Sequence, residues 1–390
     1  MCPKEKGEWF NGINCVAREC VECADTSKAI HAHYSKVVEA GGTIKYKSWQ
    51  YKDVEVNVYK EKVFKIETRR KRVIVECQTS IGEAVEELVK AIDKPNTITT
   101  LQKHLFVADW QNKQFEDCKS HIQHGDVLAV YDFAQNYTMM NQDAIKSDHY
   151  AKKQITVHPI PCYYRQDNQL RRELIIMLSD NLTHDAYAVS AFRKKMVLHL
   201  RSKGVDVAQL IEWCDGAGNQ YKFVNAFVDV TEAAQELGLK IIRCFYGSEH
   251  GKGESDAETG CLKTALARHI IGTGAIIQNA DDIKLFGEKH MARDQISKLK
   301  NVDELVNTTR TFHVVNNHSR PVVKPAYVSV SGTNKIHCVE SGTAMELKKQ
   351  SLACFCYGCR SAGKCGNSLT VGDWERILFK YYLLPYSTQN

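Results

Sequence analysis

The succession of apolar runs between residues 126 and 272 constrains the fold more than any other feature of this chain. Three strand-like runs come first with no helical pattern between them: DVLAVYDF (126–133), ITVHPIPCYY (155–164) and RELIIMLSD (172–180). Strands and helices then alternate. HDAYAVSAFRKKMVLHLRSKG (184–204) has helical spacing, with Thr183 as the expected N-cap and Gly204 as the stop. VAQLIEWCDG (207–216) is a strand, NAFVDVTEAAQELG (225–238) a helix, KIIRCFYG (240–247) a strand, and ESDAETGCLKTALARHIIG (254–272) a helix.

The predicted order is β-β-β-α-β-α-β-α. That is the order of an RNase H-like core, an α/β fold with a mixed five-stranded sheet flanked by helices, here expected over 125–300. The flanks divide into three further regions. Residues 1–50 read as a cysteine-containing module followed by a helix that the Gly41-Gly42 pair stops. In 51–124, charged and β-branched residues alternate over 51–77, predicting two or three half-exposed strands. Two helical segments broken near Pro95 follow. Residues 280–300 predict one more helix, and 301–390 a strand-rich region with a second cysteine cluster.

The acids carry the chemistry. Asp132 and Asp215 each end an apolar strand, where a carboxylate is poorly solvated. Several carboxylates in one place repel one another unless a divalent cation neutralises them. Phosphoryl transfer uses such clusters, with Mg²⁺ or Mn²⁺ activating the attacking oxygen and stabilising the leaving one. Asp256, at the start of a helix and three residues after Gly253, is the third acid expected, with Glu254 and Glu258 as alternatives. Lys263 lies two helical turns beyond Asp256 on the same face. A lone Asp at a strand end is ordinarily a turn residue. Two in matching contexts, with Asn136 and Gln220 close behind them and small residues Ala134, Gly216 and Ala217 leaving room for a substrate backbone, favour a site. GSEHGK (247–252) lacks P-loop spacing, and no HExxH or GxSxG occurs.

The net charge of +6 over 390 residues permits a polyanionic partner without requiring one. Basic residues cluster in ETRRKR (67–72), YYRQDNQLRR (163–172) and FRKKM (192–196), each of which alone reads as a solvated face. No stretch has the apolar length of a membrane span, and the first residues show no secretory h-region, so a reducing intracellular setting is expected. There, fifteen cysteines point to metal rather than disulfides. Cys354, Cys356, Cys359 and Cys365 supply four thiolates within a dozen residues, a spacing suited to structural Zn²⁺, with His337 or Cys338 able to replace one ligand. Cys15, Cys20 and Cys23, completed by Cys2, form a weaker second set. Cys162, Cys244 and Cys261 read as core residues.

DFAQNYT, SDNLTHDAYAV, CDGAGNQYK and SEHGKGESDAETG together resemble the core of transposon-derived proteins of invertebrate genomes, which read DFAENY, SDDLTHD, SDGAxxQFK and SHGKGxxDGxGG. The likeness runs from Cys2 to about Trp374, and the CFCYGCRSAGKC ending belongs to it. That group is similar to the DDE/D transposase and integrase superfamily. The resemblance implies a nuclear DNA transposase with Asp132, Asp215 and Asp256 as catalytic metal ligands. It also implies Zn²⁺ in the cysteine modules, DNA and further copies of the chain as partners, and no membrane. Lys252, Lys263 and Arg268, with His250, Gln220 and Asn136, are then the residues expected against DNA. The chain departs from the pattern at Gln135, at Cys214, and in DAETG, which loses two glycines beside the third acid. An RNase H-like nuclease without strand transfer, and a domesticated, inactive zinc-containing DNA-binding protein, are the rival readings.

Overall fold

The computed structural model describes residues 26–60, 63–93, 98–139, 153–218, 220–247, 253–299, 301–318, 327, 329–343, 345–361 and 363–379. It contains two compact units, Met1–Phe106 and Val107–Asn390.

In the first unit, α1 (Thr26–Ala40) stops at Gly41 and Gly42, whose φ angles of 67° and 112° only glycine adopts freely. The alternating segment is one long hairpin. β1 (Thr43–Lys60) pairs antiparallel with β2 (Val63–Ser80) in continuous register from Thr43↔Ser80 to Lys60↔Val63. It therefore begins inside the region expected to be a separate module ending at residue 50. α2 (Ile81–Asp93) opens with a reciprocal cap: the Glu83 N–H donates to Ser80 Oγ and the Ser80 N–H to the Glu83 carboxylate, both at 3.2 Å. The division between the units falls within α3 (Ile98–Ser120) rather than at 124.

The second unit is built on one mixed sheet. Its centre is formed by β3 (Asp126–Tyr131), β5 (Gln154–Gln166), β6 (Gln169–Ser179), β7 (Gln209–Cys214) and β8 (Lys240–Phe245), with the short β4 (Tyr137–Thr138) paired to β5. β5 runs antiparallel to both β3 and β6, while β3, β7 and β8 are mutually parallel neighbours. The parallel steps are made through α4 (Ala186–Ser202) and α5 (Val224–Leu237). Alternation along the strands sends residues to two cores. Val127, Ala129 and Tyr131 pack with Phe192 and Met196 of α4 and Phe227 of α5. Leu128 and Val130 pack on the other face with Cys118 and Ile122. There too, α6 (Glu254–Thr273) and α7 (Ala280–His290) cover β5 and β6 through Leu262, Leu266 and Phe286.

The sheet is wider than the five strands expected. β10 (Leu305–Val314) adds parallel to β6, and β9 (Gln295–Lys298) antiparallel to β10. On the opposite side β11 (Cys338–Ser341), β12 (Glu346–Gln350) and β13 (Glu375–Leu378) continue from β8, giving eleven strands. Residues beyond 301 thus share a sheet with the region expected as 125–300. The helix expected over 280–300 ends at His290, because 295–298 find an edge partner in β10. The cap of α4 is Asp185, not Thr183. Its carboxylate accepts the Ala188 N–H at 3.0 Å, while the Thr183 N–H is held by Asn181 Oδ1 at 3.0 Å. Among the described residues, no helix is long and apolar enough to cross a membrane.

Beneath the middle of the sheet lies a closed ionic network. Glu212 on β7 accepts from Arg193 of α4 at 2.5 Å and from Arg243 of β8 at 2.7 Å, and Asp229 of α5 lies 2.8 Å from Arg193. Burial alone would raise Glu212, but the two guanidiniums outweigh it by charge and hydrogen bonding and hold its carboxyl below the ordinary range. Arg193, read from sequence as part of a basic run, is therefore a core residue.

Candidate functional site

Two acids leave the sheet side by side. β3 and β7 run parallel with Tyr131 opposite Cys214, so the next residues, Asp132 and Asp215, emerge from neighbouring strand ends. Each is fixed by its surroundings. The Asp132 carbonyl lies 2.8 Å from Nδ1 of the buried His158. Phe133 stacks between the rings of His158 and His184 at 4.3 Å from each. Gly216, at φ 78°, turns the chain after Asp215, whose carboxylate accepts the Ala217 N–H at 2.9 Å.

Asp256 sits in the first turn of α6 and is exposed. Its two rivals have other work. Glu254 accepts from the Tyr163 hydroxyl and, at 3.0 Å, from Arg172. Glu258 is buried and binds Arg310 through both oxygens, at 2.5 and 3.2 Å. The two glutamates are thus spent on tying α6 to β5, β6 and β10.

The Asp132 carboxyl is pushed up to about 7, first by burial and then by the charges of Asp215 and Asp256. All three acids therefore act on one region of space, and Asp132 carries the electrostatic penalty. Among the described residues, the group of ligand-type side chains found gathered closely enough to hold a metal ion is the cysteine cluster.

The residues expected against DNA are placed differently from one another. Lys263 Nζ donates to the Gln135 carbonyl at 2.6 Å, pinning α6 to the loop that follows Asp132. Asn136 Nδ2 donates to Gln154 Oε1 at 3.3 Å, and the half-buried Gln220 donates its backbone N–H to the Ala217 carbonyl at 3.2 Å. Arg268 is exposed on α6. His250 and Lys252 lie outside the described residues. Trp213 and Tyr221, which flank Asp215 and could have stacked on bases, are fully buried. Sequence reasoning passed over Lys222. Burial lowers this lysine to about 8, and its ammonium lies 4.9 Å from the Phe245 ring centroid, with its side chain against Gly216. Its place at the end of CDGAGNQYK was the available signal.

The second site is the cysteine tail. Cys354, Cys356, Cys359 and Cys365 bring their sulfurs within 4.8 Å of one another, a group that can hold a metal such as zinc. The Cys356–Cys359 and Cys354–Cys365 sulfur pairs are both 3.6 Å apart. Asn367 Nδ2 donates to Cys354 Sγ at 3.5 Å. The short helix α8 (Tyr357–Arg360) shapes the turn, and a Cβ at Gly358 would stand 2.0 Å from the Lys364 carbonyl, so the turn requires glycine. Burial opposes ionisation of Cys356, but N–H donors from Cys359 and Gly366 and the adjacent thiols bring it down to about 6. The proposed substitutes are elsewhere: His337 Nδ1 faces the Ser351 carbonyl, and Cys338 lies 3.7 Å from Cys244 in the core. Cys162 and Cys244 are buried as expected, whereas Cys261 is exposed on α6. Cys2, Cys15, Cys20 and Cys23 lie outside the described residues.

A family model described as a domain of unknown function, DUF8701, matches residues 111–353. The matched span holds all three acids and stops one residue before the cysteine cluster. No curated protein matches the chain.

Proposed function

The chain belongs to the DUF8701 family, and we propose that it is a divalent-metal-dependent enzyme of phosphoryl transfer on DNA, a transposase of the DDE/D type with an RNase H-like core. The observation that carries this reading is the state of Asp132. Its carboxyl is pushed up to about 7 by burial and by the charges of Asp215 and Asp256. The core supports the same reading, since β6-β5-β3-β7-β8 has three antiparallel strands joined to two parallel ones in the order expected of that fold.

The donor set suits Mg²⁺ or Mn²⁺, hard cations that prefer carboxylate oxygens and water. Three carboxylates gathered in one region also suit a pair of such ions about 4 Å apart. When bound, such ions supply an activated oxygen nucleophile and stabilise the leaving oxygen. Asp132 and Asp215, on rigid strand ends, would hold the shared position, and Asp256 would complete the site from α6. Lys263 acts through position: by gripping the Gln135 carbonyl it fixes α6 against the loop carrying Asp132. In the reaction proposed, water attacks phosphorus at an element end and the bond to the 3′ oxygen breaks, freeing a 3′-hydroxyl. That hydroxyl then attacks a target phosphodiester, so one such bond forms as another breaks. The cysteine tail would bind Zn²⁺ as a structural ion.

The test is cleavage and joining of labelled element-end DNA with Mn²⁺. Asp132→Asn and Asp215→Asn are each expected to lower the rate by roughly 1,000-fold or more, since metal-borne charge stabilisation is worth several kcal/mol. Cleavage without joining would replace transposition with simple nuclease action. DNA binding with no cleavage, unchanged by either substitution, would leave a domesticated binding protein.

A further inference from the structure

Strand β5 lies in the middle of the sheet, yet it carries Pro159 and Pro161. Proline has no N–H, so inside a sheet each one removes a ladder bond to a neighbouring strand. The bonds removed are those to β3. With β6, β5 pairs without a break through Pro159↔Ile176 and Pro161↔Leu174. With β3, the ladder ends at Ala129↔Cys162. Continued in the same register, that ladder sets Asp132 against Pro159 and Ala134 against Val157. The Ala134 N–H does reach the Val157 carbonyl, at 3.3 Å. Hydrogen-bonded pairs recur at every second residue of an antiparallel ladder. Asp132 and Pro159 therefore stand at the bonded position just before it, where the N–H that would meet the Asp132 carbonyl is missing.

The adjacent side chain supplies it. Nδ1 of His158 lies 2.8 Å from the Asp132 carbonyl oxygen. A carbonyl only accepts, so Nδ1 carries the proton and donates. In the neutral ring Nε2 is then an acceptor, and it is buried with no hydrogen-bond partner among the described residues. An unpaired buried acceptor costs stability. The surroundings do not call for an imidazole. The fully buried ring stacks on Phe133 at 4.3 Å and on Phe192 at 5.3 Å, and lies 5.9 Å from Tyr131. Phenylalanine would fill such a space without stranding an acceptor. What histidine adds here is the bond to Asp132.

We propose that His158 is a positioning residue of the acidic site: its Nδ1–H takes the place of the N–H that Pro159 lacks and fixes the Asp132 backbone, and so the direction of its carboxylate, where β3 leaves β5. The role rests on the functional reading above, in which Asp132 holds a divalent cation. The experiment titrates Mn²⁺ into the zinc-loaded full chain and follows free manganese by electron paramagnetic resonance. It compares the wild type, Asp132→Asn, His158→Phe and His158→Asn. His158→Phe keeps the aromatic stack and loses the donor. It is expected to weaken the Asp132-dependent manganese affinity by roughly 10–100-fold, the cost of losing a group that orients a metal ligand. His158→Asn places its Nδ2 where Nδ1 stood but loses the ring. It is expected to melt earlier than His158→Phe and yet bind manganese more tightly. The reverse order of affinity, which a part played only in packing would give, overturns the proposal. So does a His158→Phe affinity equal to that of the wild type. Should one variant not fold, nitrogen NMR of the histidine-labelled wild type decides, with the His158 signal identified by its loss in the other variant. A protonated Nδ1 with a bare Nε2 is expected, and a proton on Nε2 overturns the proposal. A wild-type chain that binds no more manganese than Asp132→Asn removes the functional reading and this role with it. Manganese binding that needs Asp132 but not the His158 donor removes the role alone.

Discussion

Strand β7 and the residue that follows it carry two acids, three positions apart, that the molecule treats in opposite ways. Glu212 is sealed in the core and met by two guanidiniums, which hold it ionised. Asp215 stands just past the strand's end beside Asp132, whose carboxyl is pushed up to about 7 first by burial and then by the charges of Asp215 and of Asp256 on α6. The fold plainly has the means to neutralise a buried carboxylate. Arg310 does it for Glu258 and Arg172 for Glu254, within one turn of Asp256 itself. The difference teaches that the repulsion at Asp132 is not a packing accident. On the proposed reading it belongs to a site that takes its positive charge from bound cations.

Glu212→Ala should show the larger effect, because it strands two buried guanidiniums. Loss of one partner of a buried pair costs about 3–5 kcal/mol, read as a lowered midpoint in urea unfolding. A change below 1 kcal/mol would mean that the network is idle and the contrast empty. At the other end of the strand, Mn²⁺ at a hundred times its dissociation constant should stabilise the wild-type chain by about 2.7 kcal/mol, and Asp132→Asn should abolish that gain. Chelators that strip zinc are left out of this measurement, so that the cysteine tail does not contribute.

Asp132→Asn without divalent cation should have the opposite sign to Glu212→Ala. A carboxyl at its ordinary 3.8 when unfolded and near 7 when folded binds more protons in the folded state between those values. Wild-type stability relative to Asp132→Asn should therefore be unaffected below about pH 4, fall as pH rises from 4 to 7, and stay low above 7. Thermal melts of both proteins over that range check the sign. The smallest change is expected for Lys263→Ala, which loses one half-exposed bond to the Gln135 carbonyl. It should cost about 1 kcal/mol or less of stability, while reducing cleavage more than stability if it positions α6.

The acids at 132 and 215 were legible because an apolar run that ends in Asp is a local pattern, and two such runs fall on adjacent parallel strands. Asp256 was legible by its helix. What separates it from Glu254 and Glu258 was not, since Arg172 and Arg310 reach those glutamates from strands 82 and 52 residues away in sequence. The same holds for the basic runs. FRKKM looks like surface, yet Arg193 is core because its partner Glu212 lies on β7, 19 residues away in sequence. The added strands at both sheet edges, and β9 in place of the end of a helix, depend on partners that periodicity does not reveal. The cysteine tail needed none of this, because four thiols within a dozen residues can meet through one turn at Gly358.

The central claim is that Asp132, Asp215 and Asp256 jointly await divalent cations. The most direct measurement is anomalous diffraction from crystals grown with Mn²⁺ at pH 8, where Asp132 is ionised. The account predicts manganese peaks within about 2.0–2.4 Å of oxygens from all three carboxylates, lost in Asp132→Asn crystals. Manganese absent from the three acids at saturating concentration, with zinc still bound in the cysteine tail, would contradict it.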